Sequence, residues 1–315
     1  MTFRALFFGT PDFAVPCLEA LTRIAEVPLV VCQPDRPAGR GMKMTPPPVK
    51  QVANRLGLPV EQPKRIRTAA FAERLRDLHA DVAVVVAYGR ILPAAVLSAP
   101  RLGCVNVHAS LLPKFRGAAP IQWSIVRGES ETGVTLMCMD EGLDTGPELQ
   151  RVVVPIAEDD TAGALSPRLA AAGAELLQRA LPEYVAGNLS PVPQDHDRAT
   201  LAPLLAKTDG AVDFGGAALA VHNHIRGMYP WPGAYTHLDG KRVKLLKSRV
   251  VIAEGDHGRP GEVLRASRHG IEVACGAGVI ALDELQLEGR KRGDAGQFCA
   301  GQGLKPGAYF VTAQQ

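Results

Sequence analysis

Two polar residues stand inside an otherwise apolar run. Asn106 and His108 are two positions apart in CVNVH, and on a strand such residues leave the same face. Asp144 follows the next apolar run, Val134 to Met137. The carboxyl ends of neighbouring parallel strands form a rim where ligands collect, so the three side chains can converge there. An amide can donate to an oxyanion, an imidazole can donate or accept a proton near neutral pH, and a carboxylate can favour and orient the charged ring. Together they suit acyl transfer without a covalent nucleophile. Singly, each also has a plain structural reading, His108 as a hydrogen-bonded strand-end residue and Asp144 as a turn residue before Thr145-Gly146.

The elements around them follow from periodicity. Apolar runs at Ala5 to Phe8, Leu29 to Cys32, Val82 to Ala87, Val105 to Val107 and Val134 to Met137 alternate with helix-period stretches at Phe13 to Ile24, Ala69 to Leu78 and Pro120 to Val126. VAVVVA is apolar on both faces, as a strand covered on both sides must be, which predicts an α/β domain with a mostly parallel sheet. Ala162 to Val185 predicts a closing helix with breaks or starts at Pro167 and Pro182. Gly187 to Pro203, with three prolines, reads as a linker. After it come short strand-like runs at Ala234 to Leu238, Lys241 to Leu246, Gly261 to Leu264, Ile271 to Ala274 and Gly278 to Leu282, with Asp239-Gly240 as a hairpin signal. These predict a small β-barrel, and the chain divides as 1–186, a connection at 187–206, and 207–315.

Composition agrees with two globular domains: 315 residues, 46% hydrophobic and 21% charged. The apolar N-terminal stretch is broken by Gly9, Pro11 and Asp12, and no run approaches a membrane span, so a cytoplasmic protein without membrane attachment is expected. Six scattered cysteines form no CxxC pair and have no matching His spacing, so neither a disulfide framework nor a metal site is expected. The net charge is only +3, with the excess in residues 205–315, where 14 basic residues face 11 acidic ones. GTPDFA at 9–14 is not GxGxxG, which disfavours nicotinamide or flavin binding.

The string NVHASLLPKFRGAAPIQW at 106–123, with TGVTLM and GLDTG downstream, resembles the signature of the folate-dependent formyltransferases. The likeness runs from FFGTPDFA through QPDRPAGRG to IRGMYPWPGA, so it spans nearly the whole chain. It implies a Rossmann-like N-terminal domain joined to an OB-like barrel, with 10-formyltetrahydrofolate as the donor co-substrate. It makes Asn106, His108 and Asp144 the catalytic trio, and Ser110, Leu111, Leu112 and Pro113 the folate contacts. Pro113 cannot extend a sheet, so backbone groups in this segment are expected to be free for a ligand. A second candidate lining for the pterin is Val82 to Gly89 with Ile91 and Leu92, although most of that strand must be core. Pro147 and Glu148 after GLDTG look less typical of the family.

The full-length likeness further implies that the accepting amine is that of methionine on initiator methionyl-tRNA. A monomer with no obligate protein partner is a separate expectation. The loop Gln33 to Pro48 carries Arg36, Arg40 and Lys43 among glycines and prolines. It is either a solvated connection or a basic lid that grips the acceptor end of the tRNA. KRVKLLKSR at 241–249 holds five basic residues and no acid, and Lys244 is its candidate RNA contact. On a regular strand Arg242 and Lys244 would share one face, and Lys247 and Arg249 the other. HNHIRGMYPWPGA at 222–234 reads as a packing element, not a metal site. Two alternatives stand beside this reading: an enzyme formylating a sugar nucleotide or other small amine, and a noncatalytic RNA-binding protein.

Overall fold

The computed structural model describes residues 3–39 and 41–311. By contacts they fall into two units, one of 1–120, 131–155 and 166–203, the other of 121–130, 156–165 and 204–315. Residues 187–203 therefore count with the first unit.

In the first unit the strands are β1 (Phe3–Gly9), β2 (Ala25–Glu26), β3 (Val30–Val31), β4 (Arg36–Ala38), β5 (Lys43–Thr45), β6 (Val60–Glu61), β7 (Val82–Val86), β8 (Cys104–His108), β9 (Arg116–Gly117), β10 (Glu131–Cys138), β11 (Glu148–Pro155) and β12 (Leu201–Ala202). The main sheet runs β11-β10-β8-β7-β1-β3-β6, with β2 beside β1. Pairing is parallel from β8 through β6 and antiparallel at β8-β10 and β10-β11. The Rossmann-like expectation is met, except that β10 runs against β8 and β11, so its carboxyl end does not share the rim of β8 as the sequence suggests, and the edge strand β11 is one the sequence pattern does not announce. The chain passes from β6 on one side of β1 to β7 on the other, which is the switch point where such sheets open a crevice.

The apolar runs behave as their residue types require. Val82 through Val86 are all buried. The side of the sheet bearing Phe8, Val31, Ala83 and Val85 packs with Phe71, Leu75 and Val96 from the flanking helices Ala69–Arg76 and Ala94–Leu97. Thr68 caps the first of these helices by accepting from the Phe71 amide. The helix Ala162–Val185 runs unbroken through Pro167 and Pro182, against expectation. A proline removes one helical hydrogen bond, and the buried row Leu165, Leu169, Leu176, Leu177 and Leu181 outweighs those losses. None of the helices in the described residues is long and apolar enough to cross a membrane.

The second unit holds β13 (Tyr235–Leu238), β14 (Lys241–Ile252), β15 (Val263–Ser267), β16 (Gly270–Ala274), β17 (Val279–Leu287) and β18 (Gly293–Asp294). They form an antiparallel sheet ordered β13-β14-β17-β16-β15. Tyr309 bridges Glu262 beside β15 and Val311 bridges His237 of β13, so the C-terminal segment joins the two edges in barrel fashion. Asp239 and Gly240 make the expected two-residue hairpin turn, both at positive φ. A bulge between Leu245 and Lys247 shifts the phase of β14. Val243, Leu245 and Ser248 are consequently buried while Lys244, Lys247 and Arg249 are all exposed, which corrects the two-face split expected of a regular strand. Arg242 stacks on the Tyr235 ring at 3.7 Å. In the helix Ala218–Gly227, His222 bonds Ser248 Oγ and Glu158 O, and Arg226 donates to Ala157 O and Asp160 O. This motif ties down the 156–160 segment. Among the described residues no cluster of His, Cys, Asp and Glu suits a metal ion.

Candidate active site

Asn106 and His108 lie within the last three positions of β8, between Val85 on one neighbouring strand and Met137 and Thr135 on the other. Asp144 enters from the loop after β10. Asn106 Nδ2 donates to Asp144 Oδ1 at 3.2 Å, and the Gly117 amide donates to Asp144 Oδ2 at 2.8 Å. His108 Nδ1 lies 3.6 Å from Asp144 Oδ2, and its Nε2 lies 3.0 Å from Phe115 O. Nε2 is thus within hydrogen-bonding distance of a carbonyl, while Nδ1 faces the carboxylate from beyond that distance. The imidazole is 5% exposed, so the charge on Asp144 acts across a water-poor gap.

The loop carrying Asp144 is tightly determined. Asp144 itself is left-handed at φ 53°, unusual for a residue with a side chain. Asp140 accepts from the Gly142 amide and from Thr145 Oγ1, closing a turn. At Gly146 any Cβ would collide with the Cys138 carbonyl, so only glycine fits.

Between Ser110 and Pro113 the carbonyls and the Leu112 amide have partners. Ser110 Oγ donates to Lys114 O, Thr135 Oγ1 donates to Ser110 O, and the Leu112 amide donates to Thr135 Oγ1. The Leu111 carbonyl accepts from the Lys114 amide and the Pro113 carbonyl from the Thr200 amide. The expectation of free backbone groups is thus narrowed to the amides of Ser110 and Leu111, since the carbonyls are engaged. A turn leaving a sheet must satisfy its buried polar groups somewhere, and here it does so internally. What the segment does is deliver Phe115 O to His108 and Gly117 N to Asp144.

Three cavities open at or beside the rim. One of about 370 Å³ lies at the switch point, lined by Thr10, Gln33, Arg36, Pro46–Pro48 and Ala87–Gly89. One of about 530 Å³ is lined by Arg67–Ala69, Ile91–Ala95 and Glu141, on the same loop as Asp144. A third of about 380 Å³ shares Arg67 and Ile91 with it and adds Lys64, Arg65 and Arg90. Ile91 and Leu92 thus line a cavity as expected, whereas Val82 to Val86 are core. Sequence reading missed Gln33 and Arg90: Arg90 Nε donates to Gln33 Oε1, and Gln33 Nε2 and Thr10 Oγ1 both donate to Tyr88 O. It also missed Arg116 and Gln194, buried and bonded to each other behind Asp144.

The basic candidates lie elsewhere. Arg36 and Lys43 stand on β4 and β5, an exposed antiparallel hairpin with Met42 and Met44 also exposed. At its base Asp35 accepts from Gln62 and Lys50, and these partners hold its carboxyl below the usual range. Arg40 lies outside the described residues. Lys244 is exposed on β14 in the second unit.

Family models match both parts of the chain, "Formyl transferase" at residues 3–181 and "Formyl transferase, C-terminal domain" at 204–303. The chain belongs to the formyl transferase family. This formyltransferase is 54% identical over 306 residues to the methionyl-tRNA formyltransferase of Sorangium cellulosum, covering 96% of this chain and 98% of that one. It is 51% identical over 310 residues to that of Myxococcus xanthus, covering 98% of each. Among solved structures it shares its fold with an N-formyltransferase from Helicobacter canadensis crystallised with folinic acid and dTDP-3-aminofucose. There the TM-score is 0.67 at 20% identity, covering 90% of this chain and 99% of that one.

Proposed function

We propose that this formyltransferase moves the formyl group of 10-formyltetrahydrofolate onto the α-amine of methionine esterified to initiator tRNA, giving formylmethionyl-tRNA for translation initiation. It acts as a monomer in the cytoplasm. The observation that carries the reading is the convergence of the Asn106, His108 and Asp144 side chains on one another. Relatives that match nearly the full chain at about half identity are named methionyl-tRNA formyltransferases, which favours the aminoacyl-tRNA over a sugar nucleotide.

The cavities fit a folate donor. The Ile91–Ala95 wall is mostly apolar, as a flat heterocycle needs, and Lys64, Arg65 and Arg67 beside it are suited to the carboxylates of a glutamyl tail. The switch-point cavity, with Arg36 at its edge, is left for the acceptor. The catalytic part is 1–186, the RNA-binding part 207–315, and 187–206 connects them.

In the reaction the amine attacks the formyl carbon, the N10–carbon bond of the donor breaks, and one proton leaves the amine while one arrives at N10. Asn106 Nδ2 carries two hydrogens. One is held by Asp144, which leaves the second for the developing oxyanion. His108 Nδ1 is too far from Asp144 for a settled hydrogen bond, so a hydrogen there is available to the same oxygen, with the carboxylate beside the ring. A water ordered by Asp144 takes the amine's proton; free α-amines titrate near 8, so little assistance is needed.

The test follows formyl transfer from labelled donor to charged initiator tRNA, with a charged elongator tRNA and a small amine alongside. Transfer to the small amine at equal kcat/KM would overturn the tRNA reading.

A further inference from the structure

Behind Asp144 lies a buried amide whose four hydrogen-bonding positions are all used. Gln194 Nε2 donates to Asp144 O at 2.9 Å and to Gly146 O at 2.7 Å, while its Oε1 accepts from Arg116 Nε at 3.2 Å and Nη2 at 2.6 Å. Arg116 is itself buried, and its Nη2 also lies 3.0 Å from His196 Nδ1. The next residue, Gly117, gives its amide to the Asp144 carboxylate. Gln194 thus grips the catalytic loop by two carbonyls and, through Arg116, the strand that bonds the carboxylate.

We infer that Gln194 is a positioning residue for the transfer reaction, holding Asp144 in its left-handed conformation so that the carboxylate faces Asn106 and His108 together. This rests on the function proposed above. Asp144 occupies a left-handed conformation that aspartate tolerates better than most residues but that its neighbours must still select over the commoner right-handed and extended ones. Of the groups around it, the Gln194 amide is the one that fixes the carbonyls on both sides of Thr145. Gln194 lies in the Pro-rich stretch that also pairs β12 with β9 and in which Thr200 Oγ1 accepts from the Phe115 amide. That stretch clamps the loop serving His108 as well as the loop serving Asp144.

The informative variant is Gln194→Glu. A carboxylate keeps and strengthens the bond to Arg116 but sets an acceptor against two carbonyl oxygens, so the grip on 144–146 is lost while packing is retained. A displacement of about 1 Å at a reacting group costs about 100-fold in rate. The expected result is a fall in kcat of about 10- to 100-fold in a protein that still folds cooperatively at a lowered melting temperature, with KM for folate and for tRNA within about twofold. In an Asp144→Asn background the same substitution should cost less than about twofold more, because both changes act through one carboxylate. Wild-type kcat in a folded Gln194→Glu protein, or an equal loss in both backgrounds, would overturn the inference. A crystal structure of the variant supplies an arm independent of the substrate: Asp144 should leave φ near 53°, and an unmoved Asp144 also refutes the proposal. Should the wild type fail on methionyl-tRNA, the functional reading falls while this structural arm still decides the role of Gln194.

Discussion

Asn106 Nδ2 donates to Asp144 Oδ1 at 3.2 Å across 38 residues of chain, so one member of the trio is oriented by another. On the proposed mechanism, Asn106→Ala removes the donor for the oxyanion, and it is expected to lower kcat by about 10² to 10³, with KM for the folate nearly unchanged. Asn106→Asp should be worse, since it sets a second carboxylate against Asp144. Steady-state kinetics on both variants checks the order.

On the proposed mechanism, His108→Ala is expected to reduce kcat at least as far as Asn106→Ala, because it deletes the ring that lies beside both Asp144 Oδ2 and Phe115 O. Wild-type turnover by purified His108→Ala on charged initiator tRNA would remove the ring from the mechanism.

Gly117 is at φ 122°, and a Cβ there would lie 2.6 Å from the Ala202 carbonyl oxygen. Gly117→Ala must push β9 away from β12 and withdraw the amide that Asp144 accepts. Strain of about 1 to 3 kcal/mol is expected in chemical denaturation, together with a fall in kcat. An unaltered unfolding midpoint would show that the clamp yields without cost.

Charge reversal at Lys43 or Lys244, both exposed, should raise KM for aminoacyl-tRNA and lower the salt slope of binding by about one for each phosphate left unneutralised. Folate affinity should stay as it was. Equal effects on a small amine substrate would place these residues in the chemistry instead.

Burial pushes the His222 and His224 imidazoles below their ordinary pKa of 6.5. The unfolded chain takes up protons there near 6.5, and the folded chain only at lower pH, so below 6.5 the unfolded state binds more protons and stability falls. Urea midpoints measured between about pH 7.5 and 5.5 should drop with acidity. His222→Gln, which removes one of the two groups, should flatten that slope, and an unchanged slope would assign it to other residues.

How much of the molecule was legible in the chain differs from element to element. Val82 to Val86 announce a covered central strand by being apolar on both faces, and Asp239-Gly240 announces its hairpin by turn chemistry, because both signals are local. The antiparallel edge β11 gives no such signal. Its residues Glu148 to Pro155 mix buried Leu149 and Val154 with exposed Gln150 and Arg151, and it needs β10 beside it to be a strand.

Asn106 and His108 carry their residue types at a two-residue spacing that strand geometry turns into a shared face, which is why both were legible as candidates in the sequence. Asp144 reaches them by a different route from the one the sequence suggests, because β10 runs antiparallel to β8 and the loop after it folds back to bring the carboxylate to Asn106. Their partners could not be read in the same way. Phe115 O and Gly117 N are backbone groups that every residue type supplies, and Gln194 meets Asp144 across 50 residues through a stretch that locally looks like a connection. The faces of Lys244, Lys247 and Arg249 depended on one bulge, which reverses the alternation a strand would otherwise impose. Residue type decides what a group can do, and local spacing decides which way it points. Only the closed chain decides which distant backbone atoms hold it there, because the cost of bringing them together is met by the packing of the whole unit.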